Sequence, residues 1–72
     1  NKQMKTIVVD VRTTDEFNLD GHADGSVNYP LDKIENYIDS LKHFDKVILV
    51  CRSGSRANIA RSILLQSGIT NI

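Results

Sequence analysis

The chain has 72 residues, 40% of them hydrophobic and 25% charged, and its nine basic and nine acidic side chains leave a formal net charge of zero. That length allows one domain with a modest core and a small stability margin. Without net charge there is no global field to recruit nucleic acid or an anionic membrane, and with a single cysteine there is no internal disulfide, so a disulfide-stapled scaffold is excluded.

No apolar run approaches the ~18 residues of a membrane span. The start, Asn1-Lys2-Gln3-Met4-Lys5, is charged with no apolar segment behind it, so it is not read as a signal peptide. The expected setting is reducing and cytoplasmic, without a membrane or nucleic-acid partner.

In chain order, Thr6-Ile7-Val8-Val9-Asp10-Val11 is a β-branched run that predicts a buried strand. Thr13 or Thr14 can cap a short helix with Asp15 and Glu16 in its first turn, stopped by Asp20-Gly21. His22 to Gly25 reads as a loop, and Ser26 to Tyr29 as a short strand closed by Pro30. Asp32 with Glu35 forms a capping-box pattern for a helix to about Leu41, whose apolar face is Ile34, Tyr37, Ile38 and Leu41. Lys46 to Val50 is the second strong strand, continuous in its apolar run as expected where both sheet faces are covered. A helix over Ala57 to Ser67 follows, buried through Ala57, Ala60, Ile63 and Leu64 and ended by Gly68; Ile69 to Ile72 can begin a further strand. The alternation predicts an α/β fold in three layers, a small, mostly parallel sheet with helices on both faces. Ligands in such sheets bind at the carboxyl ends of the strands. Cys51 sits at one such end, with Asp10 and Arg12 at another.

The chemistry concentrates in Cys51-Arg52-Ser53-Gly54-Ser55-Arg56, between strand and helix. Glycine and small serines let successive backbone N–H groups turn inward around an anion, and the helix adds its unpaired N–H groups and positive end. A thiol there, flanked by two arginines, is expected to ionise early and act as a nucleophile. A buried cysteine behind a strand can also be an inert small hydrophobe. The arginines argue against that, because cations at a helix N-terminus are unfavourable unless an anion offsets them. Cysteine-dependent phosphatases use a C-x5-R loop wide enough for a phosphoryl group. Here the spacing from Cys51 to Arg56 is C-x4-R, and the tighter loop fits a single transferred sulfur atom better.

Four segments resemble the rhodanese family, specifically its small single-domain sulfurtransferases. Val9-Asp10-Val11-Arg12 with Glu16-Phe17 is similar to the D-V-R…E-F/Y signature. Gly21 to Pro30, GHADGSVNYP, resembles the G-H-I-P-G-A-x-N-I-P stretch, with Asp24 where the family's proline usually stands. Val50 to Ala57 resembles the active-site loop, and Gln66 to Ile72 the approach to the last strand. The family commonly has a further strand near the N-terminus and a glycine-rich turn and helix beyond the position of Ile72. Residues 1–72 are therefore expected to form one rhodanese-like domain, minimal or truncated at one or both ends.

The resemblance implies a thiosulfate sulfurtransferase in which Cys51 takes a sulfane sulfur as a persulfide and passes it to a thiol, cyanide or a protein acceptor. Arg52, Ser53, Gly54, Ser55 and Arg56 would bind the small anionic donor. Asp10 and Arg12 would support the loop, with Arg12 or Asp10 joined in a structural ion pair to Glu16 or to a nearby backbone group. No cofactor is implied, and one cysteine with two distant histidines makes no metal-ligand pattern. A monomer or weak dimer is expected. His22 is expected to be a hydrogen-bonded loop histidine rather than a general base, and His43 a surface residue. The alternatives are a rhodanese-fold binding or sensor module with little turnover, and a cysteine-dependent phosphatase or arsenate reductase. Retention of Cys51, Gly54 and Arg56 argues against the first, and the loop spacing against the second.

Overall fold

In a computed structural model, residues 5–72 are described. Asn1 to Met4, part of the charged start read above as no signal peptide, lie outside them. Three strands, β1 (Thr6–Asp10), β2 (Val27–Asn28) and β3 (Lys46–Val50), form one parallel sheet in the order β2-β1-β3. Helix α1 (Thr14–Leu19) follows β1, a 3-10 segment (Leu31–Tyr37) leads into α2 (Ile38–Leu41), and α3 (Ser55–Gln66) follows β3. No helix among the described residues is long and apolar enough to cross a membrane.

The core lies on one face of the sheet. Ile7, Val9 and Val47 project from the strands onto Ile34, Leu41, Ala60 and Leu64 of the helical layer, all buried. Strand register decides this: Ile7 pairs with Val47 and Val9 with Leu49, so one alternation of β1 and β3 faces inward. The other alternation is covered more thinly than the continuous apolar run of β3 suggests, since Val8 is half-buried and Ile48 is 37% exposed. At the free edge of β3, the Val47 N–H donates to the Asn71 carbonyl at 2.8 Å. Of the strand expected over Ile69 to Ile72, the structure has that bond but no strand.

Helix α1 forms as its sequence predicts. Thr13 is the N-cap, its hydroxyl accepting from the Glu16 N–H while the Glu16 carboxylate accepts from the Thr13 N–H. The capping box expected at Asp32 and Glu35 does not form. The cap position falls two residues earlier, at Pro30, and no side chain caps the segment. The Leu31 N–H is held by the Val11 carbonyl at 3.1 Å, and the Lys33 N–H closes a tight turn onto the Pro30 carbonyl at 2.8 Å, which starts the chain on 3-10 winding. Its expected apolar face is retained: Ile34 and Leu41 are buried, and Tyr37 stacks on Tyr29 with ring centroids 3.8 Å apart.

Gly68, at φ +91°, ends α3 in the left-handed region, and a Cβ there would meet nothing within 4 Å. The cost of Gly68→Ala is therefore conformational rather than steric. A loss of about 1 kcal/mol is expected by urea denaturation, and an unchanged midpoint would contradict this account of the helix end.

Candidate active site

Parallel strands bring their carboxyl ends to one edge. Asp10 pairs with Asn28 on one side and Val50 on the other, and the Val11 N–H donates to the Val50 carbonyl at 3.1 Å. Cys51 therefore leaves β3 beside the turn carrying Asp10 and Arg12. These three residues, with Ala23, Val50 and Arg52, line an open cleft of about 210 Å³.

Asp10 forms the floor and is only 2% exposed. Its carboxylate accepts from the Arg12 guanidinium at 2.7 and 3.0 Å and from the Arg12 backbone N–H at 2.9 Å. Burial pushes this carboxyl up, but the side-chain and backbone bonds from Arg12 outweigh it and hold the pKa below its ordinary value. Arg12 also donates to the Gly21 carbonyl at 2.7 Å, and Asn28 donates to the Arg12 carbonyl at 2.9 Å. Of the partners expected for these residues, the backbone group is found, as the Gly21 carbonyl; Glu16 is engaged by Arg56 instead, and Asp10 and Arg12 pair with each other.

The cysteine loop turns at Gly54, whose φ of +85° is left-handed and which is the N-cap of α3 without a side-chain cap. The N–H groups that a capping side chain would satisfy turn to sulfur instead. Cys51 Sγ accepts from the Gly54 N–H at 2.9 Å and the Ala57 N–H at 3.3 Å. Desolvation pushes the thiol up. The N–H groups of Ala57, Gly54, Ser53 and Arg56 pull it down further, so its pKa lies below the ordinary thiol value. The sulfur thus caps the helix, which explains why α3 starts at Ser55 rather than at the expected Ala57: the sequence has no acidic residue in that first turn and no capping side chain to announce it.

The family model described as a rhodanese-like domain matches residues 1–72. The chain belongs to the rhodanese-like domain family. It is 36% identical over 80 residues to a protein of Schizosaccharomyces pombe named "Putative thiosulfate sulfurtransferase, mitochondrial", covering 93% of this chain and 56% of that protein. It is 28% identical over 65 residues to "Putative sulfur carrier protein YrkF" of Bacillus subtilis, covering 90% of this chain and 35% of that protein. The chain thus spans little more than half the length of one curated relative and about a third of the other. No solved structure matches significantly.

Within this rhodanese-like domain the two loop arginines are placed differently. Arg52 is open, its side chain 70% exposed and its guanidinium 3.8 Å from the Asp20 carboxylate. Arg56 is held end-on by Glu16 of α1, Nη1 to Oε1 at 2.5 Å and Nη2 to Oε2 at 2.9 Å. That bond and the Thr13 cap lower the Glu16 pKa from 4.5 to about 2, so both partners stay charged at neutral pH. The Arg56 backbone N–H is among the groups that lower the Cys51 pKa. The Ser53 and Ser55 hydroxyls bond each other at 2.9 Å.

His22 Nδ1 lies 2.8 Å from the Phe17 carbonyl, and its ring stacks on Phe17 at 3.5 Å. A carbonyl only accepts, so Nδ1 carries the hydrogen. Sequence reasoning missed that Glu16 engages Arg56, because nothing local links residues 40 positions apart. It also missed Ala23 in the cleft wall.

Proposed function

We propose that this rhodanese-like domain is a sulfurtransferase that carries a sulfane sulfur on Cys51. The observation that supports this most is the ring of backbone N–H groups around Cys51 Sγ, which suits a thiolate and, one atom further out, a persulfide. The Cys51 thiolate attacks the outer sulfur of thiosulfate. A new S–S bond forms, the S–S bond of thiosulfate breaks, and sulfite leaves with the electron pair. The outer sulfur of the resulting Cys51 persulfide is then taken by a thiophile, as thiocyanate if cyanide attacks, and Cys51 leaves as thiolate. The loop N–H groups stabilise negative charge on sulfur in each state. Arg52, exposed in the lining of the cleft, draws the anionic donor, and Ser53, Gly54, Ser55 and Arg56 complete the loop that aims N–H groups at the sulfur. Asp10 and Arg12 hold the floor. The names of the two relatives, a thiosulfate sulfurtransferase and a sulfur carrier, agree with this chemistry. A reducing compartment and a thiol or protein acceptor belong to the same reading.

Mass spectrometry after incubation with thiosulfate tests it: a gain of about 32 Da on Cys51, reversed by cyanide, is expected. Failure to load sulfur, together with hydrolysis of an aryl phosphate, would replace this reading with a phosphatase. The loading rate is expected to rise with pH and level off below the ordinary thiol range, because the lowered pKa makes Cys51 a thiolate early. Stopped-flow loading against pH checks this, and a rate still climbing past pH ~8.5 would contradict it.

A further inference from the structure

Helix α1 is a poorly anchored element. It has no buried residue, and Leu19 at its end is 82% exposed. Among the described residues its side-chain hydrogen bonds to the cysteine loop and α3 come from Glu16, beside the looser 3.8 Å approach of Asp20 to Arg52. Glu16 is oriented by Thr13, whose backbone N–H and hydroxyl donate to Oε1 at 3.2 and 3.0 Å, and it grips both terminal nitrogens of Arg56. Arg56 is the second residue of α3, and the N–H of Ala57, the next residue, donates to Cys51 Sγ. A planar two-point bond between carboxylate and guanidinium fixes orientation as well as distance. It also spends the Arg56 charge on a carboxylate, which leaves Arg52 as the accessible cation of the loop.

We infer that Glu16 is a positioning residue for the Cys51 cradle: by clamping Arg56 it holds the first turn of α3 so that the adjoining Ala57 N–H stays directed at the sulfur. The consequence for sulfur transfer rests on the function proposed above; the clamp itself acts on the free thiolate. The charged groups around Cys51 are Asp10 and Arg12 from the end of β1, Arg52 in the loop and Arg56 on α3.

The sign of one measurement separates the possibilities. Glu16→Gln retains a residue able to complete the capping box but loses the charged clamp. If Glu16 acted only through its charge, deleting a negative group would stabilise the thiolate and lower the alkylation midpoint of Cys51. If it were only a staple for α1, the midpoint would not move. Positioning predicts the opposite of the charge effect, a midpoint raised by about one pH unit, which is roughly tenfold less thiolate below the midpoint. Iodoacetamide alkylation of Cys51 against pH, with folding followed by circular dichroism, reads this directly. Glu16→Asp keeps the charge but is too short for the two-point bond, and it should give a smaller rise in the same direction. It also serves as the test if the glutamine variant does not fold. A midpoint that falls or stays in the folded variants overturns the inference. Thiosulfate loading of the unmodified protein is measured alongside: no loading with a raised midpoint in the variants removes the sulfurtransferase reading and leaves the clamp standing, while normal loading with an unmoved midpoint does the reverse.

Discussion

Under the sulfurtransferase function proposed above, Cys51→Ser is expected to lower kcat/KM for sulfur transfer from thiosulfate by about a thousandfold or more, with the fold kept. The reaction needs an atom that is anionic near neutral pH and can form a bond to sulfane sulfur that breaks again. A serine hydroxyl meets neither requirement, because it stays protonated and cannot give a persulfide. The same loop N–H groups cannot compensate, since they stabilise a charge that serine does not develop. The structural role is separable. Sγ receives the Gly54 and Ala57 N–H groups at the head of α3, and a serine oxygen is itself a good helix cap. The variant should therefore melt within a few degrees of the parent while losing both the ~32 Da adduct and turnover. Retention of more than about a tenth of the activity would move the chemistry away from Cys51.

The second large effect concerns stability. Asp10→Ala is expected to destabilise the domain by roughly 3 kcal/mol in urea denaturation. Asp10 is 2% exposed, and its carboxylate takes two kinds of bond from Arg12, whose side chain is itself only 12% exposed. Truncation leaves the guanidinium with the Gly21 carbonyl as its remaining partner and a backbone N–H without an acceptor. The cost is therefore mostly that of the abandoned partner rather than the worth of the pair. A domain of this size has a total stability of only several kcal/mol, so the variant should be partly unfolded at moderate temperature. The pH dependence follows the same bond. Asp10 is held below its usual 3.8, so its contribution is present above that value and is lost as pH falls through the lower, folded value. The acid limb of the stability curve should be shallower in the variant. A change under about 1 kcal/mol would mean that the floor of the cleft is not held by this pair.

Much of the site was legible along the chain because its signals are local. β1 and β3 are β-branched runs that need only burial to become strands, and Lys46–Val50 forms over the span its residues predict. The Thr13 cap and Gly68 stop are single-residue signals for a helix end, and both act as read. Where a local signal competes with a neighbour, reading fails. Asp32 has the spacing of a cap, but Leu31 is tied to Val11 and Pro30 takes the cap position, so the segment winds as 3-10 instead.

By itself, the sequence determined the parallel α/β class, the place of Cys51 at the end of a strand and a glycine turn able to aim N–H groups at an anion, because strand, turn and cap preferences act over a few residues. The tertiary structure alone decided what those groups face. Register brings Asp10 and Arg12 beside Cys51. The placement of α1 beside the loop gives Arg56 to Glu16 and leaves Arg52 open. Sulfur takes the place of a helix cap that the chain does not otherwise provide. Each of these depends on groups distant in the chain or on where N–H vectors point, and neither is encoded in local spacing.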